Sequence, residues 1–387
     1  MDRKTQQKQK NRFIRITTLV LFAAIIILAD IFLLADHNRQ FSERENRVLA
    51  KPPVLTASNI ISGKYMTKAE SFVSDQFFLR DGWITYKLNT DKLLGKKESN
   101  GVYLGKQGYL IEQAKKPAEE DFERNLDAIR DFALRHAGDQ NIVMTVIPNA
   151  VCVLRHLLPP GAPSIDQEEI LRKISDTLGS GLHFVDLTQD LMAHRTEYIF
   201  YKSDHHWTSL GARYAFEALC PSLGITDPVL SYTKYEATDR FSGTLASASG
   251  ASNVRDVIDL YVPDSDIQYV VEYVGESRKT ATMYSSSALD TNNQYEVFLG
   301  GNHPLIRIRT TAANKKNLLL IKDSYANAFV QFLLPHFGSI YIVDPRYYSD
   351  DLDQLVTTSE ITDILFLYNV NTFVEDNSIA GALTAES

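Results

Sequence analysis

The chain contains only two cysteines in 387 residues. Cys152 and Cys220 each lie in an apolar run, so buried free thiols and a disulfide are both open, with free thiols favoured. No Cys-x-x-Cys or His-x-x-x-His spacing occurs. Because such spacings build metal sites, we expect no metal ion, and no cofactor is predicted.

Positive charge is scarce outside the N-terminus. The formal net charge is −8, but the first fifteen residues carry six Lys/Arg against the single acid Asp2. Removing that +5 leaves −13 for the rest of the chain. An acidic body argues against nucleic acid as a partner.

Long apolar runs are rare, and the longest covers residues 16–35. Twenty helical residues span about 30 Å, the thickness of the hydrocarbon core. Asp30 is its one charge, costing about 2.5–3.5 kcal/mol at mid-bilayer and less near an end. A cleaved signal peptide would have an apolar core of about 7–15 residues followed by small residues. We therefore predict a single-pass anchor, with residues 1–15 in the cytoplasm and the body outside.

The body shows alternating helical and strand patterns. Residues 36–60 contain Pro52-Pro53 and predict a stalk, and residues 61–387 predict one domain. A β-rich insertion is predicted at about 226–313. Alternation on both sides of it predicts one parallel sheet covered by helices. The predicted strands are 141–147, 182–185, 317–321, 339–343 and 363–367, and the predicted helices are 118–135, 165–178 and 325–334.

A polar cluster, Asp204-His205-His206-Trp207, precedes an amphipathic helix at Arg213 to Leu219. A carboxylate two residues from an imidazole can hold and polarise it as a general base toward a hydroxyl. A capped loop with surface histidines is the alternative, and the cluster alone favours neither.

Ser324 follows a predicted strand and precedes a predicted helix. A serine in this position exposes its hydroxyl near backbone N–H groups that can hold an oxyanion. The alternative is that Asp323 or Ser324 only caps the helix.

These segments resemble the blocks of SGNH/GDSL hydrolases. Asp323-Ser324 resembles their Gly-Asp-Ser block, Asn369-Val370-Asn371 their Gly-x-Asn-Asp block, and Asp204 to His206 their Asp-x-x-His block. Lys322, Asn369 and Thr372 depart from the family residues. The Asp/His half (about 118–220) comes before the serine/asparagine half (about 317–375), so the order is circularly permuted.

The permuted order and Asp-x-His-Trp resemble alginate O-acetylation proteins of the AlgJ/AlgX type, and above all the bacterial DHHW proteins. Further matching stretches include residues 42–47, 75–77, 101–105 and 321–327. The resemblance implies an α/β, circularly permuted SGNH-hydrolase-like parallel sheet flanked by helices. It also implies a location at the bacterial cell membrane, with the C-terminal domain extracytoplasmic.

The resemblance also implies roles for individual residues. Ser324 would be the nucleophile, His206 the general base and Asp204 its orienting carboxylate. Asn371 and the backbone N–H of Ser324 or Tyr325 would stabilise the oxyanion.

Three further side chains are candidate substrate contacts. Arg346 could bind substrate or form a surface ion pair. Trp207 could stack on a sugar ring, although a packed core tryptophan is favoured. His205 is either a substrate contact or a support for its neighbour.

The implied activity is transfer of an acetyl group, through acetyl-Ser324, onto hydroxyls of an exported or cell-surface polysaccharide. A membrane-bound O-acyltransferase would be the partner that supplies acetyl groups. A carbohydrate acetylesterase using the same residues and a non-catalytic polysaccharide-binding component of an export complex are the alternatives.

Overall fold

The computed structural model describes residues 3–35, 41–42, 47–77, 79–229, 231–251 and 253–384. The chain forms two units, one ending at Leu93 and one beginning at Leu94. This boundary lies inside the predicted domain 61–387.

The N-terminal unit is mainly helical. Its first helix runs through both the predicted basic arm and the predicted membrane segment. Two short strands pair antiparallel within the predicted stalk. The elements are α1 (Arg3–Ala35), β1 (Phe41–Ser42), β2 (Arg47–Val48), α2 (Ala57–Ile61), α3 (Lys64–Asp75) and α4 (Arg80–Leu93).

Within the residues that the structure describes, no helix combines the length and the apolar composition needed to cross a membrane. The side chains of residues 28–35, the last part of the predicted span, lie outside the described ones. The membrane anchor therefore stays a prediction.

The second unit alternates helices and strands. Its first half contains β3 (Glu98–Ser99), β4 (Val102–Leu104), β5 (Leu110–Glu112), α5 (Glu119–His136), β6 (Asn141–Ile147), α6 (Ala150–Val153), α7 (Gln167–Leu178), β7 (His183–Phe184), α8 (Thr188–Ala193) and α9 (Ser209–Leu219). Its second half contains β8 (Tyr232–Phe241), α10 (Thr244–Ser249), β9 (Asp256–Pro263), β10 (Tyr269–Tyr273), β11 (Arg278–Thr280), β12 (Leu305–Thr310), β13 (Asn317–Lys322), α11 (Ala326–Leu333), β14 (Ser339–Val343), α12 (Leu352–Thr358), β15 (Asp363–Asn369), α13 (Val370–Phe373) and α14 (Ile379–Leu383).

The central sheet has eight strands in the order β11-β10-β12-β14-β13-β15-β6-β7. The five strands from β14 to β7 pair parallel. The other three, β11, β10 and β12, pair antiparallel and join the sheet at β14. The fold is thus mixed α/β with flanking helices. The five strands predicted for the parallel sheet are the ones that pair parallel, and three antiparallel strands extend the sheet beyond them. The predicted insertion supplies these three strands, because an edge strand of a parallel sheet can accept an antiparallel neighbour. Its other two strands, β8 and β9, pair with each other in a separate sheet.

Burial on both faces explains why the central strands are almost wholly apolar. Along β13, Leu318 and Leu320 pack into one core with helices α9 and α11. Leu319 and Ile321 face the other core, with α5, α7 and α14. Parallel strands end at the same edge of a sheet, so the segments that follow β13, β15 and β6 meet there.

Both cysteines, Cys152 and Cys220, are buried free thiols. The alternative that the sequence favoured is therefore the one in the structure. No disulfide links them.

The start of α9 requires a glycine. Thr208 caps the helix and accepts a hydrogen bond from the Gly211 N–H at 3.3 Å. A Cβ added at Gly211 would lie 2.4 Å from the carbonyl oxygen of Ile199. Because that neighbour is backbone, the contact cannot be relieved by turning a side chain.

We expect Gly211→Ala to destabilise the protein by about 1–3 kcal/mol, the usual cost of overpacking. Urea unfolding of the purified protein measures this change. Gly381→Ala is the matched control in helix α14, where an added Cβ meets nothing within 4 Å. Equal stability of the two variants would contradict the close contact at Gly211.

Candidate active site

Asp204, His206 and Ser324 form a continuous chain of hydrogen bonds. The Nδ1 atom of His206 lies 2.5 Å from Oδ1 of Asp204. Its Nε2 atom lies 2.8 Å from Oγ of Ser324, which is 118 residues away in sequence. This is the connectivity in which an imidazole takes a proton from a serine hydroxyl while a carboxylate orients the ring. Asp204 and His206 are buried, whereas Ser324 is half-buried.

The second carboxylate oxygen of Asp204 is held by the start of α10. Thr244 donates its backbone N–H at 2.8 Å and its hydroxyl at 3.0 Å to Oδ2. The preceding Gly243 approaches so closely that an added Cβ would lie 2.3 Å from Asp204. Both residues belong to the predicted insertion, and nothing in their local sequence signals this contact.

The two buried groups favour opposite protonation states. Burial raises the pKa of Asp204, but the charges of His205 and His206 and its hydrogen bonds outweigh this, so its pKa is lowered. Burial lowers the pKa of His206 below its ordinary value, and the charge of His205 acts in the same direction. Asp204 is therefore ionised and His206 neutral near pH 7, the states that a base and its orienting carboxylate require.

Tyr295 is a site residue that sequence analysis missed. Its ring stacks on His206 with centroids 3.8 Å apart and planes 12° from parallel. Its hydroxyl donates to the carbonyl oxygen of Ser324 at 3.1 Å. One buried side chain thus contacts both the base and the serine. Its loop carries no pattern that would have identified it.

Asp323 braces the turn that carries Ser324. Its Oδ1 accepts the backbone N–H of Tyr325 at 2.9 Å. Its Oδ2 accepts the backbone N–H of Asn369 at 2.8 Å and the Asn369 side-chain amide at 2.6 Å. One carboxylate therefore ties the end of β15 to the turn after β13.

The predicted oxyanion donors differ in their availability. The Tyr325 N–H already binds Asp323. The side-chain amide of Asn371 donates to Glu112 at 3.0 Å and to the Gln113 carbonyl at 2.9 Å, so both of its hydrogens are engaged. Among the described residues, the Ser324 N–H has no partner. Of the predicted set, it is the donor left for an oxyanion.

Trp207 lies in the core and is fully buried. Its Nε1 donates to the carbonyl oxygen of Tyr325 at 2.9 Å. It presents no face to a sugar, so the packed core tryptophan, the alternative that the sequence favoured over stacking, is the one in the structure. His205 is different, because its half-buried ring stays partly open and its Nδ1 lies 2.8 Å from the Thr244 hydroxyl.

Arg346 is the candidate substrate contact that forms an ion pair. Its Nε and Nη2 donate to the two oxygens of Asp344 at 2.8 and 2.6 Å. Asp344 also lies 3.3 Å from Nζ of Lys322, the residue in place of the family glycine. Lys322 and Asp344 are fully buried. The ion pair that Arg346 forms with Asp344 is therefore not the surface pair predicted as the alternative. The Arg346 side chain remains 32% exposed.

Asp204, His205 and His206 offer ligand atoms within 4.8 Å of one another. Asp204 and His206 already use theirs in the chain to Ser324.

Comparison with known proteins gives a family match over part of the chain. Residues 170–343 match the model of the DHHW protein family. A DHHW family protein from Eubacterium siraeum has a similar structure, with TM-score 0.65 and 24% identity, covering 75% of this chain and 97% of that protein. Bacillus cereus PatB1, solved with a sulfonyl adduct, has TM-score 0.60 and 20% identity over 73% of this chain and 97% of its own.

A more distant likeness exists to the O-acetyltransferase domain of Pseudomonas putida AlgJ, with TM-score 0.46 and 16% identity over 72% of this chain and 93% of that domain. A search of curated protein sequences finds no significant match. The resemblance predicted from the sequence is confirmed, since residues 170–343 match the DHHW protein family model.

Proposed function

We propose that this protein is an O-acetyltransferase that moves an acetyl group through acetyl-Ser324 onto hydroxyls of an exported or cell-surface polysaccharide. The observation that carries the proposal is the chain of hydrogen bonds from Asp204 through His206 to Ser324. The lowered pKa of His206 supports it, since a neutral imidazole can accept the serine proton at neutral pH.

In the first step, Nε2 of His206 takes the proton of Ser324 as Oγ attacks the carbonyl carbon of the acetyl donor. The oxyanion that forms is within reach of the free Ser324 N–H. Collapse expels the donor's leaving group, which receives the proton from His206, and leaves acetyl-Ser324.

In the second step, a sugar hydroxyl attacks the acetyl carbonyl and gives its proton to His206. Collapse then returns the proton to Oγ of Ser324 and releases the acetylated sugar. With water as the attacking group, the same residues would act as an acetylesterase and release acetate.

Attachment to the bacterial cell membrane is part of the proposal. It is supported by ten large apolar side chains of α1 that are exposed between Phe13 and Ile27. A multi-spanning O-acyltransferase in the same membrane would supply the acetyl groups to Ser324. The acceptor hydroxyls would then be those of a polysaccharide outside the cell.

We expect the full-length protein to remain in the membrane pellet after alkaline carbonate washing and to be released by detergent. Deletion of residues 1–35 should move it to the soluble fraction. Release of the full-length chain by carbonate alone would contradict the anchor.

The transferase and esterase alternatives predict different products. Given p-nitrophenyl acetate and an oligosaccharide, the protein should form acetylated sugar, and Ser324→Ala should form none. His206→Ala should lower the rate by about 10²-fold or more, the usual contribution of a general base. Mass spectrometry of the sugar and an assay for acetate separate the products. Acetate without acetylated sugar would establish the esterase instead. The absence of both products would favour a polysaccharide-binding protein.

Labelling of Ser324 by a fluorophosphonate should depend on pH through His206. The neutral form of His206 is fully populated above the pKa of this residue in the folded protein, and it is lost as the pH falls through that pKa. Because that pKa is lowered, the labelling rate should be flat at pH 7 and fall only below about 6.5, the ordinary value. Sulfonyl fluorides should label the same residue, since PatB1 of similar fold carries a sulfonyl adduct.

Stopped labelling at a series of pH values measures this profile. Ser324→Ala should not be labelled at any pH. His194→Gln, at an exposed histidine outside the site, is the matched control and should keep the wild-type profile. Labelling that persists in Ser324→Ala, or a midpoint above 6.5, would contradict the assigned roles.

A further inference from the structure

A cavity, which we call the side pocket, lies beside the chain of hydrogen bonds from Asp204 to Ser324. Its volume is about 530 Å³. Its lining consists of residues 100–102, 112–115, 244, 245, 248, 369, 371 and 372, together with His205. Amide, hydroxyl and imidazole groups alternate there with Val102, Leu245 and small alanines. Such a mixture of polar and apolar surface is suited to a sugar.

The side pocket adjoins the site at His205. The ring of this residue packs on His206 with centroids 3.9 Å apart. Thr244, on the same wall, donates to Asp204. In the part of the chain that the structure describes, Nε2 of His205 has no hydrogen-bond partner. A sugar in the pocket would therefore meet an unused ring nitrogen one ring away from the base.

The described residues that line the side pocket carry one carboxylate, Glu112, and one ammonium, Lys115. Lys115 lies 2.6 Å from Glu375 and 3.6 Å from Glu112. Partial burial lowers the pKa of Lys115, but the hydrogen bond to Glu375 and the charge of Glu112 raise it overall, so the ammonium stays charged. Lys115 therefore has two carboxylate partners, one of which, Glu375, lies outside the lining. Among the described residues that line the pocket, no cation lacks a carboxylate partner.

We propose that the side pocket binds sugar units of a glycan that carries no acidic groups and holds the acceptor beside Ser324. The proposal rests on the proposed function and names the class of its acceptor. A polyuronate would bring carboxylates to a wall whose one ammonium already has two carboxylate partners, and like charges in such contacts are unfavourable. The −13 charge of the body beyond residue 15 acts in the same direction.

The test measures binding without chemistry. Full-length Ser324→Ala protein is titrated calorimetrically with N-acetylchitohexaose (uncharged), chitohexaose (amine-bearing) and hexamannuronate (acidic). We expect one of the first two to bind at least about tenfold more tightly than hexamannuronate, because like-charge contacts cost several kcal/mol at most and screening reduces this. The comparison of N-acetylchitohexaose with chitohexaose also shows whether a free amine of the sugar contributes to binding.

Two variants locate the binding. Ala248 is an exposed residue of α10 on the pocket wall, and Ala248→Trp should fill the pocket and weaken binding about tenfold or more. Ala137→Trp, at an exposed alanine after α5, is the matched control and should bind as the parent does. Glu375→Gln removes one negative charge beside Lys115. The ratio of the affinity for the favoured sugar to that for hexamannuronate should then fall by roughly two- to fivefold, the range of an exposed ion pair.

Hexamannuronate binding as tightly as the other two sugars would overturn the proposal. Binding of none of them, or unchanged binding by an Ala248→Trp variant with a native circular dichroism spectrum, would also overturn it. Failure of the proposed function is a separate result, in which the sugars bind but wild-type Ser324 is not labelled by a fluorophosphonate.

Discussion

The carboxylate of Asp204 is buried, and both of its oxygens are hydrogen-bonded. One binds His206, and the other binds the backbone and hydroxyl of Thr244. A buried charge is costly unless it is paired and hydrogen-bonded, so this double engagement makes an ionised Asp204 compatible with the core. It also fixes the ring of His206, whose remaining nitrogen then meets Ser324. The site thus depends on a segment, residues 243–244, that lies 40 residues from Asp204.

The sheet supplies the other half of the site. β13 and β15 end side by side, and Asp323 connects their ends through hydrogen bonds to Tyr325 and Asn369. Tyr295 then closes the site by stacking on His206 and binding the Ser324 carbonyl. Contacts from Asp323, Tyr295 and His206 position the serine and its turn. The N–H of Ser324 has no partner among the described residues. The Ser324 hydroxyl thus lies beside an imidazole, and an unused backbone donor of this kind can stabilise an oxyanion.

Sequence patterns predicted the bounds of strands whose residues are buried on both faces of the sheet. The bounds of strands 141–147 and 339–343 were confirmed, because a strand buried on both faces is a continuous apolar run. Ser324, His206 and Asp204 could be named because each lies within a recognisable block. The antiparallel strands, Thr244 and Tyr295 could not, because their contacts depend on pairings between distant segments. The engagement of Asn371 by Glu112 and Gln113 was hidden for the same reason.

Acetylation of Ser324 itself is the most direct measurement of this account. Wild-type protein is mixed with p-nitrophenyl acetate, quenched in acid within the first turnover, digested and sequenced by mass spectrometry. The account predicts one acetyl group on Ser324 that disappears when acceptor sugar is added before the quench, and none in Asp204→Ala under the same conditions. An acetyl group found on another residue, or an unmodified Ser324 after mixing with p-nitrophenyl acetate alone, would contradict it.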